Sequence, residues 1–500
     1  MRIAGMLLFA TALGACGARV TDRLPPPETS LTIGFAEAES DSVAIVGTRG
    51  LLISLTGAPL VDVDITGRAR PALAERWQQA HDGLSWDFFL RPGLTLHDGS
   101  PLTARVVAER LASLLTGPAD GTRPPGFRDV TSVTAPDPLT VRIQLIQPSA
   151  LLLEALRLQA IATTGDTEGA GPFVIESVED GTTRLRAFDG YFEGRPAIDQ
   201  VAIRVYPAAR TAWAAMLRGD VDLLYEIPPG ATSFVAAQTD VQIFSTLRPY
   251  VYLIGLDLQH PVLGRRDVRL ALNLGVRRKD VISAALAGSG RTATGPIWPL
   301  HWAYDSDAPA FGFDPAAAER LLDEAGLPRG GGAGGSRFRM RCLVPFDYSP
   351  RFERMAQDLR RQLRDIGVDL DLEGVPASEL VARLQAGRYD AFLFEMAAGH
   401  GLSWPYQWWH SGAARTGLFD PGYRAADAAL DLMRQASPEA KLPESVASLQ
   451  AIFRADPPAV FLAWGVTARA VSRRFVVPSG ADEDIIRTIA RWQPAVEAEP

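Results

Sequence analysis

A histidine beside an aspartate, His97-Asp98, stands in the stretch Leu96-His97-Asp98-Gly99-Ser100-Pro101-Leu102-Thr103. Imidazole next to carboxylate is what a general base and its orienting group require. Such a pair also needs a nucleophile, and the chain has no Gly-x-Ser-x-Gly elbow. The same residues read more simply as a turn. Asp98 accepts local backbone N–H bonds, Gly99 takes a positive φ, and Thr103 caps a helix starting at Ala104. A scaffold role is expected, with no catalytic residue and no cofactor.

The second concentration of chemistry lies between Met396 and His410, where His400, Trp404, Tyr406, Trp408, Trp409 and His410 fall within fifteen residues. Aromatic rings bury a large area at small entropic cost and accept stacked or apolar groups, so this segment suits a ligand pocket. Spacing and neighbours of His400 and His410 match no metal motif, and no metal site is expected. Arg248-Pro249-Tyr250-Val251-Tyr252 is a third candidate, with Tyr250 and Tyr252 two apart on a strand and hence on one face. Of two cysteines, Cys342 lies in an apolar strand-like run and reads as buried and inert, while Cys16 ends the leader discussed below.

These residues need elements to hold them. Trp86 to Leu90 alternates as a strand, and Ala104 to Leu115 puts Val107, Leu111, Leu114 and Leu115 on one helical face. Pro71 opens what reads as a short helix through Leu73, Ala74 and Trp77. Val130 to Val133 and Leu139 to Leu145 form a hairpin, and strands follow at Phe173 to Val178, Thr183 to Ala187 and Val201 to Val205. The clearest unit is a helix from Pro350 to Ile366, stopped by Gly367, with a strand from Val368.

The chain has 500 residues, 47% hydrophobic and 22% charged, enough to bury several cores. Its net charge of −8, with both signs interspersed, speaks against nucleic acid as a partner. Met1-Arg2 followed by the uncharged run Ile3 to Ala15 is too short to span a bilayer and reads as a signal peptide over residues 1–15. It ends in Leu13-Gly14-Ala15-Cys16, which resembles a lipobox and marks Cys16 for lipidation. Residues 16–30, with Pro25-Pro26-Pro27, read as a tether.

Gly67 to Trp77 (GRARPALAERW), Leu84 to Arg110, Gly171-Pro172-Phe173, Tyr191 to Pro196 and Leu217 to Asp222 follow one another in the first half. Leu263 to Leu272, Asp314 to Gly326, Leu363 to Leu372 and Gly387 to Ala391 continue the series. In this order the stretches resemble the extracytoplasmic solute-binding proteins of peptide/nickel-type ABC importers (bacterial solute-binding protein family 5). Where the family usually has an acidic pair after the capping threonine, this chain has Arg105 and Val106.

The resemblance implies an α/β, two-lobed, venus-flytrap fold with a small extra domain inserted in the first lobe. The first lobe would span 31–257 with the insertion at about 50–165, the second 258–463, and residues 464–500 would return to the first. Crossings would fall near Leu256 to Gln259 and Val460 to Trp464. It further implies a monomeric receptor, anchored by lipid on the periplasmic side, that hands a peptide or similar solute to a permease and its ATPase subunits. The ligand contacts would come from His400, Trp404, Tyr406, Tyr250 and Tyr252. Peptide-binding members commonly place an aspartate in the loop after Tyr389 to Glu395; between Asp390 and Asp420 this chain has none, and only Glu395 could substitute. The alternatives are a sensing or chaperone-like binding protein, and a hydrolase.

Overall fold

Alternating apolar residues and β-branched runs build one continuous sheet that passes through both lobes. The computed structural model describes residues 29–36, 47–116, 125–158, 169–228, 231–331, 335–414, 417–437, 439–478, 480 and 483–495; the leader, Cys16 and most of the tether lie outside the described residues. The sheet has eleven described strands. Its order runs Val368–Val375, Phe338–Pro345, Ala391–Ala397, Val241–Leu256, Ala459–Ser472, Leu223–Leu224, Ser30–Ala36, Gln200–Tyr206, Thr182–Ala187, Phe173–Glu179, with Gly290–Thr292 also paired to Ala459–Ser472. Pairs are parallel where helices cross over, as between Phe338–Pro345 and Val368–Val375, and antiparallel elsewhere in the centre.

Two long strands, Val241–Leu256 and Ala459–Ser472, join the lobes. Their first-lobe halves pair Val241 with Ser472 through Leu247 with Val466; their second-lobe halves pair Val251 with Trp464 through Gly255 with Ala459. The crossing thus lies at Arg248 to Tyr250 and at Gly465. On the first strand this is earlier than the expected Leu256 to Gln259, because that strand continues unbroken into the second lobe instead of ending at its boundary.

The second-lobe core gathers the apolar faces of these strands with the helices Arg266–Leu274, Pro350–Asp365 and Leu442–Ala455 around Phe352, Phe392, Phe461 and Trp464. First-lobe residues such as Leu31, Ile33, Phe173 and Trp492 form another core. The inserted subdomain has its own, from Ala58 to Ala170, over a four-stranded antiparallel sheet and the helix Ala104–Thr116. Its start falls after the expected residue 50, since the helix Thr48–Thr56 buries Leu51 and Leu55 in the first-lobe core instead.

Ala74–Gln79 is a strand rather than the helix expected from Pro71. It pairs with Ser85–Leu90 and lays Trp77 against Phe88, so cross-strand packing overrides the helical preference of Ala-Glu-Arg. Cys342 is buried in its strand, 1% exposed.

Candidate ligand cleft at the lobe crossing

Where the long strands change lobes, the buried Arg469 and the half-buried Arg248 and Arg351 meet acids and tyrosines. Arg248 donates from Nη1 and Nη2 to Oε2 and Oε1 of Glu395, each at 3.3 Å, and the Tyr348 hydroxyl donates to Oε1 at 2.9 Å. Glu395 faces Tyr252 across the sheet register. It is therefore held by Arg248, leaving no free acid on this strand to stand in for the family's aspartate.

Arg351 sits in the first turn of the helix Pro350–Asp365, which Ser349 caps with Pro350 at the entry. A cation there opposes the helix dipole. Its partners explain the placement: Nη1 donates to the Tyr252 hydroxyl at 3.0 Å, and Nη2 lies 3.4 Å from Oε1 of Glu226 in the first lobe. Further into the first lobe, Arg469 donates to both carboxylate oxygens of Asp484 at 2.7 Å and to the Tyr225 carbonyl, its guanidinium 4.3 Å over the Tyr225 ring.

Burial disfavours every charge in this cluster, but pairing reverses the outcome. Glu395 is held below the ordinary carboxylate range because Arg248, Arg351 and the Tyr348 hydroxyl together outweigh burial. Arg248 is raised well above its usual value, with Glu395 overcoming burial. Burial and then the Glu395 charge push Tyr252 up to about 12. Glu395 and Arg248 are therefore permanent charges that do not titrate near neutrality.

The aromatic segment is not a loop throughout. Ser403–Trp409 forms a short helix, because Pro405 is tolerated in a first turn and the rings can pack on either side. Trp404 is half-buried and stacks on Trp408 at 5.2 Å, while the Trp408 indole donates to the Ala397 carbonyl. Tyr406 is buried, donates its hydroxyl to Asp431 at 3.0 Å and stacks on His410. His400 packs against Trp298 at 5.2 Å, and burial, then Arg157 and Arg487, push it down to about 3. Tyr250 is half-buried with the Arg248 guanidinium 5.0 Å over its ring. Tyr252, by contrast, is 1% exposed and belongs to the second-lobe core.

The structure thus gathers Tyr250, Tyr252, Arg248, Arg351, Glu226 and Glu395 at one place. It commits the Tyr406 and Tyr252 hydroxyls to protein partners. Sequence reasoning passed over Arg351 and Glu226; an arginine directly after a Ser-Pro helix start was the available signal for the first. His400 and His410 face different partners, and no group of three His, Cys, Asp or Glu side chains is placed for a metal among the described residues. Two cavities, of about 490 and 570 Å³, lie elsewhere on the second lobe, lined by Arg277, Phe313 and Arg361 and by Arg341, Arg388 and Tyr389.

His97 is a scaffold residue. It is 8% exposed, its Nε2 lies 3.0 Å from the Gly171 carbonyl oxygen, its ring meets Phe188 edge-on, and burial lowers its pKa. Asp98 accepts from Ser100 N at 2.8 Å, and Gly99 has φ +82°, the turn expected.

A two-lobed α/β body crossed by paired strands is the frame on which hinge-closing proteins are built, here with aromatic and charged side chains at the crossing. Residues 68–417 match the model of the bacterial extracellular solute-binding proteins, family 5, and the chain belongs to that family. It is a solute-binding protein, not an enzyme. It is 29% identical over 390 residues to the oligopeptide-binding protein AppA of Bacillus subtilis, covering 71% of this chain and 70% of that one. It is 24% identical over 367 residues to the dipeptide-binding protein of Escherichia coli, covering 66% of this chain and 68% of that one. Among solved structures, NikZ of Campylobacter jejuni in complex with Ni(L-His) superposes with a TM-score of 0.79 at 20% identity, over 93% of this chain and all of that one.

Proposed function

We propose that this chain is the lipid-anchored receptor of an ABC importer. It captures a peptide or similar small zwitterion between its lobes and delivers it to a membrane permease driven by ATPase subunits. The observation that carries this reading is the charged and aromatic cluster at the strand crossing, within a chain of family 5. Arg351 and Glu226 pair across the lobes at 3.4 Å, and a zwitterionic solute would engage both by exchanging that pair for its own two charges. Trp404 and Tyr250, both half-buried, supply apolar walls, with His400, Tyr406 and Tyr252 proposed as the remaining ligand-side residues. Relatives named for oligopeptides and dipeptides favour peptides as the first ligand class. Cys16 is the proposed lipidation site, the periplasmic side the location, and the monomer the working form.

Native mass spectrometry of the purified protein tests the reading directly, by the mass of any co-purified solute. A thermal-shift series follows, since a ligand at a hundred times its Kd stabilises by about 2.7 kcal/mol. The expected result is a concentration-dependent rise with short peptides. No shift from peptides, amino acids or metal chelates at millimolar concentration, together with unchanged peptide uptake after gene deletion, would sink it.

A further inference from the structure

We infer that the inserted subdomain is a clasp on the ligand cleft, and that the Glu154 carboxylate is its latch. This rests on the proposed ligand capture, which makes the segment around Trp404 part of the cleft.

Glu154 stands on the helix Leu152–Leu158, whose Leu152, Ala155 and Leu156 belong to the subdomain core. Its carboxylate leaves that core and enters the second lobe. There both oxygens accept from Leu402 N, at 2.7 and 2.8 Å, and Oε2 also accepts from Ser403 N at 2.9 Å and Ser403 Oγ at 2.8 Å. These donors open the helix Ser403–Trp409, the same short element that presents Trp404. Burial lifts the Glu154 carboxyl above its ordinary range, and the donors offset only part of that. Arg157, whose charge also acts on it, is itself paired with Asp62 at 3.4 Å. Space is as tight as the bonding: a Cβ added to Gly401 would lie 2.0 Å from Glu154 Cδ, so only glycine admits the carboxylate.

Polar contacts recur along the rest of the seam. Arg434 of the second lobe donates to both oxygens of Asp129, at 2.9 and 3.0 Å, and its carbonyl accepts from Ala150 N. The Trp298 indole donates to Ile65 O at 2.7 Å, and Trp302 N to Thr66 O. Of five buried side-chain polar atoms without a hydrogen-bond partner among the described residues, three lie along it: Ser149 Oγ, His400 Nδ1 and Arg434 Nε. Buried unpaired polar groups are costly, and parting the seam would return them to water. Leu151, Ala150 and Ile65 add apolar contact with the second-lobe cluster, yet the bonds across the seam run through single carboxylates and backbone donors beside unpaired polar atoms, as in contacts that form and break. The helix Ser403–Trp409 ties the two states together. Its first turn is gripped by Glu154, while its Tyr406 lies under the Arg434 guanidinium at 5.1 Å and bonds Asp431. Ordering this helix around a ligand therefore completes the clasp, and drawing Glu154 away loosens the helix.

The test measures the distance between spin labels at Glu109→Cys, on the subdomain, and Glu324→Cys, on the second lobe; both sites are exposed and Cys342 is buried. Glu154→Ala should widen the ligand-free distance distribution toward open forms with circular dichroism unchanged. Ser403→Ala, which removes one donor, should give a smaller shift in the same direction. With a dialanine and trialanine mixture as probe, dissociation from Glu154→Ala should be about tenfold faster or more, as expected for losing hydrogen bonds to a buried charge. Unchanged distances in both variants would overturn the clasp. If neither peptide binds the parent protein, the peptide reading fails while the distances still decide the latch.

Discussion

Replacing Glu395 by Gln removes one charge and almost no volume, so it isolates the electrostatics of the crossing. Arg248 and Glu395 side chains are 14% and 3% exposed, with paired contacts at 3.3 Å. At that separation and an effective dielectric near 20, the pair's attraction is about 5 kcal/mol. Breaking a buried pair from one side costs about 3–5 kcal/mol, because the remaining charge is stranded. For a unit the size of one lobe this lowers the melting midpoint by about 10 °C. The double variant Arg248→Met with Glu395→Leu removes both charges and should recover most of the loss. Tryptophan fluorescence during thermal and urea unfolding reads both, since Trp464 lies at the crossing and Trp409 in the second-lobe core. Midpoints are compared, as a multi-lobed chain need not unfold in two states. A single variant within about 1 kcal/mol of the parent, or a double variant as unstable as the single, would refute the reasoning.

Three shorter expectations follow. Burial, then Arg68, push His301 down to about 4, so the folded protein keeps it neutral while the unfolded chain protonates it near 6.5. Unfolded chains then bind the extra proton, and stability should fall as pH drops from about 6.5 to about 4, by about 3 kcal/mol for this residue; His301→Asn should flatten a melting curve taken against pH, and an unchanged slope would count against it. Burial pushes the Cys342 thiol up to about 12, so a thiol reagent should label it only after denaturant is added; rapid labelling of native protein would contradict its placement. Gly401→Ala should mimic loss of the latch in the label-distance measurement, because the new Cβ collides with Glu154; a parent-like distribution would show that the seam can yield there.

Much of the scaffold was legible in the sequence because its signals are local. The helix Pro350–Asp365 carries its own cap, proline and closing Gly367, and Ala104–Thr116 its own apolar face. The turn at Asp98-Gly99 likewise follows from two adjacent residues. Legibility failed where a distant partner decided. Ala74–Gln79 is a strand only because Ser85–Leu90 lies beside it. The aromatic segment was recognised as unusual, yet Tyr406 points toward Asp431, a partner on another helix that no spacing reveals. Glu154 carries no sequence signal at all; its role exists only because the fold brings it to Leu402 and Ser403 from about 250 residues away.

The strand Ala459–Ser472 lies between Val241–Leu256 and Leu223–Leu224 in the sheet. The first lobe therefore has a gap at its centre until nearly the whole chain has been made. Until then Val241 to Leu247 lack their first-lobe strand partner among the described residues, and Leu223–Leu224 can pair on one side alone. Pairings of such sequence separation form slowly, after the long loop between them has closed. A chain ending before Ala459 should thus leave an unfinished first lobe even though most of that lobe's residues precede Leu256, and the strand Ala459–Ser472 closes the sheet through both lobes at once.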